Sequence, residues 1–327
     1  MKKIVFIVDG GAALGLGHVY QTITFAKLLK HKGEICFLTK SGETVVNKIR
    51  DAGFITHKLA SDYEILDYLH KNLPNVVIID NVDVSVELAR DIKKDGNIRL
   101  VIFTNLTSAN RFADVAVTAD ISCHFNNIRF MNNDTNTLYF YGPKYWILRE
   151  EFHEFHNKNK AMPESINNIL VIFGGSDPSN LTTLVIKELL NLPDYTKIDV
   201  ILGASFTHFD SLNQVLQEYE AKKKNINIHK NISNVAELMF NADLVIASPG
   251  ISAFEALLVG TPIILFPQDF LQRETYKSFI KIIAPEDVAG LLSVIANRSF
   301  TYPNQEEIIE MHIGEGTEEI IKAILEE

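Results

Sequence analysis

Two glycine-rich turns, half a chain apart and each following a short apolar run, constrain the fold of this chain more than any other feature. The first is Gly15-Leu16-Gly17-His18, soon after the run at 4–8, and the second is Gly174-Gly175-Ser176-Asp177-Pro178, straight after 169–173. A glycine turn between a buried strand and a helix aims backbone N–H groups at an anion, and a helix N-terminus favours negative charge. One such turn in each half predicts two α/β domains facing each other across a phosphate-bearing ligand. His18 would look into that cleft.

The remaining pattern fits this plan. The apolar blocks 4–8, 35–39, 76–79, 100–103, 169–173, 198–202, 244–247 and 263–266 read as buried strands, and 226–229, which alternates, reads as an edge strand. Strands that are apolar throughout are covered on both faces. Helical patterns at 18–30, 84–94, 181–190, 211–221 and 252–258 fall between them. Strand alternating with helix means parallel sheets with crossover helices. The charged stretch 148–165 breaks the pattern and reads as a linker. The expected organisation is therefore an N-terminal Rossmann-like domain over 1–155, a second over 165–283, and a mainly helical tail over 285–327. A chain of 327 residues suits two cores better than one.

Bulk chemistry narrows the function. A net charge of −10 argues against a nucleic-acid partner. A phosphorylated ligand stays compatible, because backbone amides bind phosphate without a basic surface. Cys36 and Cys123 lie far apart and form no metal or redox motif, so a reduced, cytoplasmic setting is expected. The apolar run at 4–8 ends at Asp9, short of the ~7–15 residues of a signal-peptide core. No stretch reaches the ~18 apolar residues of a membrane span. His153 and His156 stand at helical spacing without a clear set of further ligands, so no metal is expected.

The first turn fails as a dinucleotide fingerprint: Tyr20 takes the place of the third glycine, and Thr39-Lys40 stand where an acidic residue should be. No Walker lysine follows either turn. Neither NAD nor another cofactor is expected. Gly11, Gly15 and Gly17 together imply a loop whose backbone needs room for a ligand. His18 opens the first helix at a strand carboxyl end, where open α/β sheets bind ligands. The helix N-terminus disfavours an imidazolium, so His18 is expected neutral and ready to accept a proton.

In the second turn Gly174 and Gly175 let amides approach a ligand, Ser176 or Asp177 caps the helix, and Asn180 adds a polar contact. A third turn, Ser248-Pro249-Gly250-Ile251-Ser252, precedes Glu255. Glu255 follows Ser252 at capping-box spacing, and its carboxylate could equally accept from a ribose diol. The last strand ends in Phe266-Pro267-Gln268-Asp269, with Gln272 one turn on. All three turns sit at strand carboxyl ends and could converge on one ligand. Asp9 and Asp80 also sit at strand ends, where each either reaches the ligand or caps a turn.

Four of these features, taken in order, resemble one known group. They are Gly15-Leu16-Gly17-His18, Leu148-Arg149-Glu150-Glu151-Phe152, Gly174-Gly175-Ser176-Asp177-Pro178 with Asn180-Leu181, and Glu255-Ala256-Leu257. The set is similar to the UDP-sugar hydrolase of pseudaminic acid biosynthesis and its spore-coat-polysaccharide relatives, over about residues 1–280. The resemblance implies a GT-B fold, like that of the lipid II-forming GlcNAc transferase, and a nucleotide-sugar ligand. It puts Gly174, Gly175 and Ser176 near the diphosphate, Glu255 on the ribose, and His18 as base on a water attacking the anomeric carbon.

The chain also departs from the hydrolase pattern. Ile7-Val8-Asp9 stands where Arg-Val-Asp is usual, Gln21 replaces the arginine of Gly-His-x-x-Arg, and Thr104-Asn105 replace acidic residues. Three readings follow. The first is a UDP-sugar hydrolase with His18 as catalytic base, with Asp9, Gly15, Gly17, Gln21 and Asp80 on the sugar side. Its nucleotide side comprises Gly174, Gly175, Ser176, Asp177, Asn180, Ser248, Gly250, Ser252, Glu255, Gln268 and Gln272. The second is a GT-B transferase with a glycan or lipid acceptor. The third is a nucleotide-sugar-binding protein without catalysis. UDP and CDP stay open.

Overall fold

The computed structural model describes the chain apart from residues 12–14, 95, 120–126, 157, 159, 231, 277–284, 301–304 and 326–327. Cys123 lies outside the described residues. Strands β1 (Lys2–Val8), β2 (Gly33–Thr39), β3 (Ile55–Lys58), β4 (Val76–Asp80), β5 (Arg99–Phe103), β6 (Val115–Thr118), β7 (Ile128–Asn132) and β8 (Thr137–Tyr141) form one sheet. Its order is β3-β2-β1-β4-β5-β6-β8-β7. Every pairing is parallel except β7 on β8, an antiparallel hairpin at one edge. Strands β9 (Asn168–Ile172), β10 (Lys197–Leu202), β11 (Asn225–Lys230), β12 (Leu244–Ala247) and β13 (Ile263–Leu265) form a second, wholly parallel sheet, ordered β11-β10-β9-β12-β13.

Helices α1 (Gly17–Leu29), α2 (Glu43–Asp51), α3 (Asp62–Asn72) and α4 (Val86–Lys93) alternate with the first strands. Helices α5 (Glu150–His156), α6 (Leu181–Leu189), α7 (Phe209–Ala221), α8 (Val235–Asn241) and α9 (Ile251–Leu258) follow, then α10 (Phe270–Tyr276), α11 (Leu291–Ala296), α12 (Gln305–Met311) and α13 (Thr317–Leu325). Each apolar block of the sequence is a strand, and 226–229 lies at a sheet edge. Strands β3, β6, β7 and β8 are not among the apolar blocks of the sequence. Strand β3 buries only Thr56 and β7 buries nothing, so neither carries a continuous apolar run.

The first sheet sorts its side chains by parity, because alternate residues of a strand face opposite ways. Ile4, Phe6 and Val8 join Val76 and Ile78 in one core with Val19, Ile23 and Ala26 of α1. Val5, Ile7, Val77 and Ile79 face the other way, toward Leu88 and Ile92 of α4. Val8 pairs with Asp80 in the β1–β4 register. Asp80 therefore emerges on the α1 face, and Asp9, one residue beyond Val8, on the opposite face.

Two compact units result: Met1–Ile147 with Met311–Glu327, and Leu148–Glu310. These bounds differ from those the sequence pattern suggests, a first domain ending at 155, a linker over 148–165 and one tail over 285–327. The break falls at Ile147 because α5 packs on α8 and α9 and Lys160 donates to Thr261 Oγ1 at 2.6 Å, which fixes that stretch to the second unit. The tail divides because α13 buries Ile320, Ile321, Ile324 and Leu325 in the core of the first unit. Gly316 makes the docking possible. Its N–H donates to Lys144 O at 2.8 Å, and a Cβ there would lie 2.4 Å from the Tyr145 ring.

Candidate functional site

In the first unit, β1 ends at Val8 and α1 starts at Gly17, and the loop between them is closed by a bond from Gly11 N to Gly15 O at 2.8 Å. Gly11 and Gly15 have φ of +140° and +73°, backbone that L side chains rarely adopt. No side chain caps α1, so its first N–H groups are not used by a capping residue. His18 stands in this first turn. Its Nδ1 donates to Asp80 Oδ1 at 2.7 Å, and Gln21 Nε2 donates to Asp80 Oδ2 at 2.9 Å. Asp80 is completely buried.

The bond to Asp80 fixes the imidazole tautomer and leaves Nε2 as the proton-accepting nitrogen. Burial works to lower the His18 pKa. The Asp80 charge and hydrogen bond, with help from Asp83, outweigh it and raise the imidazole above its usual value. The shift is opposite in direction to the one expected from the helix N-terminus alone: a buried carboxylate at 2.7 Å is a stronger influence than half a helix charge. Gln21 is also nearly fully buried, and among the described residues its Oε1 has no hydrogen-bond partner. Such an orphan costs about 1–3 kcal/mol.

Asp9 does not join this group. Its Oδ1 accepts from Lys40 N at 2.7 Å, Thr39 Oγ1 at 3.1 Å and Ser41 Oγ at 3.2 Å, the turn-capping arrangement. Ser41 Oγ in turn accepts from Gly10 N at 2.9 Å. Beside Asp9, on the face away from α1, lies a cavity of about 350 Å³ floored by Ile7 and Ile79 and rimmed by Asp9, Lys40, Asp62 and Asp83. Lys40 pairs with Asp62 at 2.7 Å. It supplies a cation to the cavity whose floor carries Ile7.

In the second unit the turn after β9 is held by its own side chains. Asp177 Oδ1 accepts from Leu181 N and Oδ2 from Thr182 N, both at 2.8 Å. Asp177, not Ser176, is thus the cap of α6. Its carboxylate already occupies the helix N-terminus, where an incoming anion would otherwise sit. Asp177 and Asn180 have φ of +47° and +53°, in the left-handed region that Asp and Asn tolerate best. The Asn180 amide is engaged with Ser211 Oγ at 3.0 Å and Thr183 Oγ1 at 2.6 Å, toward α7. The turn also depends on Gly203, which sequence reasoning missed: a Cβ there would lie 2.3 Å from both Gly174 O and Gly175 O.

Gln268 ties the three turns together. Its Nε2 donates to Asp177 Oδ1 at 3.2 Å and Ser248 Oγ at 3.1 Å, its Oε1 accepts from Ser179 N at 3.2 Å, and its N–H donates to Gln272 Oε1 at 2.8 Å. Asp177, Ser248, Gln268 and Gln272 are therefore brought together. Gly250, with φ of +137°, precedes α9, and no side chain caps that helix. The space over Gly250 is open: a Cβ would meet nothing within 4 Å. In this unit the N-terminus of α9, unlike that of α6, is left without a side-chain cap.

Ser252 lies inside α9, so the Ser252–Glu255 capping box does not form. Glu255 is buried, and its Oε1 accepts from Arg149 Nε and from a terminal Arg149 nitrogen, each at 3.0 Å. Burial pushes the Glu255 carboxyl up, and Arg149 opposes the rise. Arg149 also pairs with Glu151 at 2.9 Å and lies over the Phe152 ring. The partnership spans 106 residues, which no local motif could reveal.

Residues 169–284 match the family model described as glycosyltransferase family 28 C-terminal domain. The chain carries that domain on a GT-B fold. It is 40% identical to the uncharacterized protein MJ1062 of Methanocaldococcus jannaschii, over 98% of the chain and 66% of that relative, so it spans slightly less than two thirds of that protein's length. It is 26% identical to the spore coat polysaccharide biosynthesis protein SpsG of Bacillus subtilis, covering 90% of the chain and 85% of SpsG. It is 22% identical to the UDP-2,4-diacetamido-2,4,6-trideoxy-beta-L-altropyranose hydrolase of Campylobacter jejuni, covering 79% of the chain and 88% of that enzyme. Among solved structures, MurG of Acinetobacter baumannii aligns over the whole of both chains with a TM-score of 0.65 at 14% identity. Anabaena HepE in complex with UDP-glucose aligns over 99% of the chain and 95% of HepE, with a TM-score of 0.55 at 13% identity. Among the described residues no helix is long and apolar enough to cross a membrane, and no group of three or more His, Cys, Asp or Glu could hold a metal.

Proposed function

We propose that the chain is a nucleotide-sugar hydrolase that releases UDP from a UDP-sugar, in the cytoplasm and in the service of surface-glycan or nonulosonic acid biosynthesis. The observation that carries the reading is the His18–Asp80 pair: Nδ1 is held at 2.7 Å by a buried carboxylate, so Nε2 is the nitrogen left to take a proton. Nε2 removes a proton from water as the water oxygen bonds to the anomeric carbon. The bond from that carbon to the diphosphate oxygen breaks, and its electron pair leaves with UDP. The leaving group is an acidic diphosphate, so no general acid is required and a single base suffices, unlike the two-carboxylate plan of glycosidases.

The uncapped N-terminus of α9 and the open space over Gly250 suit the diphosphate, whose developing charge backbone amides would stabilise. Glu255 would take the ribose, with Arg149 holding its carboxylate in place. The cavity beside Asp9 and Lys40 would receive substituents of the sugar. The relatives named for UDP-sugar hydrolysis and for polysaccharide biosynthesis, and the UDP-glucose complex of HepE, support a ligand of this class.

A second reading, transfer of the sugar to a glycan or lipid acceptor, is favoured by the family 28 glycosyltransferase match. In it His18 would deprotonate an acceptor hydroxyl instead of water. One assay separates the two: release of UDP from a panel of UDP-sugars, with CDP-sugars alongside, in buffer without acceptor. Release from one sugar in water alone is the expected result. UDP binding without release would point to the transferase, and no binding of either nucleotide would sink both.

A further inference from the structure

Both oxygens of the buried Asp80 carboxylate are taken by one helix face. His18 and Gln21 stand three apart on α1, and their donors reach Oδ1 and Oδ2 at 2.7 and 2.9 Å. Only the imidazole of these two can carry charge. The Gln21 amide is used for this contact alone: its Oε1 is buried and, among the described residues, unbonded. An apolar side chain in the same place would bury no unsatisfied atom, so the Asp80 contact is what the amide contributes.

We propose that Gln21 is a positioning residue that fixes Asp80 without neutralising it, so that the buried carboxylate acts on His18 alone. The catalytic meaning of this rests on the hydrolase reading; the geometry does not. A cation at position 21 would share Asp80 with the imidazole and loosen its hold. An anion there would add to Asp80 and tighten it. The other charges facing His18 are Asp83, in the turn after β4, and the positive end of α1 itself, while Lys40 faces Asp83. These stay constant when position 21 is changed.

The test is titration of the His18 ring in the full-length chain, followed by the NMR signal of its Cε1–H and assigned by loss of that signal in His18→Gln. Relative to the wild-type midpoint, Gln21→Arg lowers it by on the order of one pH unit, and Gln21→Glu raises it. Displacements in opposite directions do not arise from general loosening of the fold. Midpoints that stay in place, or that move the same way in both variants, overturn the proposal. If neither charged variant folds, Gln21→Met decides: a carboxylate relieved of one donor holds the imidazolium more strongly, so the midpoint rises, and an unmoved midpoint overturns the proposal. Turnover is read separately. If no nucleotide sugar is hydrolysed, the hydrolase reading fails and the titration still decides the role of Gln21. If one is, the acid limb of kcat/KM moves with the midpoint in each variant.

Discussion

The two candidate regions solve opposite problems. In the first unit, three side chains from α1 and β4 concentrate a buried charge behind one imidazole nitrogen, and one amide oxygen is left unsatisfied to do it. In the second unit, Asp177, Ser179, Ser248, Gln268 and Gln272 satisfy one another, and the backbone amides at the start of α9 carry no side-chain cap. In the proposed reaction the first arrangement would move a proton, whereas the second is a frame that would present dipoles. A glycine turn at a strand end is compatible with either. What separates them is whether the neighbouring carboxylate caps its own helix, as Asp177 does, or holds another side chain, as Asp80 does.

The comparison is broken most directly at His18. His18→Ala is expected to lower kcat for UDP release by about 10²–10⁴-fold while UDP affinity, measured by calorimetry, is unchanged. Weakened UDP binding with unchanged kcat would mean that the two regions do not divide the work in this way.

The next effect concerns Glu255, a buried carboxylate of the second unit. Arg149→Met leaves Glu255 buried and unpaired, which should cost about 3 kcal/mol in urea unfolding, at the low end for breaking a buried pair because Arg149 is partly exposed. The pH dependence has a definite sign. The folded-state pKa of Glu255 is already raised, and losing Arg149 raises it further. As the pH falls through that range the folded state takes up the proton before the unfolded one does, so the deficit shrinks on acidification. A deficit independent of pH would exclude a charged Glu255 as its cause.

The smallest effects test the frame. Asp177→Ala should cost about 0.5–2 kcal/mol of stability without loss of UDP affinity, because both its carboxylate oxygens are already committed to capping α6. Gly250→Ala forces an L residue to a φ of +137° at the open helix end and should weaken UDP binding by roughly tenfold, about 1.4 kcal/mol. The reverse pattern would move the anion site to α6.

Much of this was legible in the sequence, for physical reasons. Continuous apolar runs mark strands covered on both faces, and the glycine turns mark their carboxyl ends. The His18–Asp80 pair was not read, although strand parity contained it: Asp80 is even with Val76 and Ile78, which face α1, whereas Asp9 is even with Ile7, which faces away. Two aspartates at equivalent strand ends thus take different roles. The Arg149–Glu255 pair and the contact of Gly203 with Gly174 are long-range consequences of packing and leave no local trace. The capping box at Ser252 is a true spacing overruled by where α9 begins.

The return of α13 to the first unit sets an order of events in synthesis. The core under β1 and α1 lacks Ile320, Ile321 and Ile324 until the whole of Leu148–Glu310 has left the ribosome. The second unit, continuous in sequence, can close first. The unit that carries the His18–Asp80 pair is finished only afterwards, so the proposed chemistry is assembled after the proposed nucleotide site can already hold its ligand.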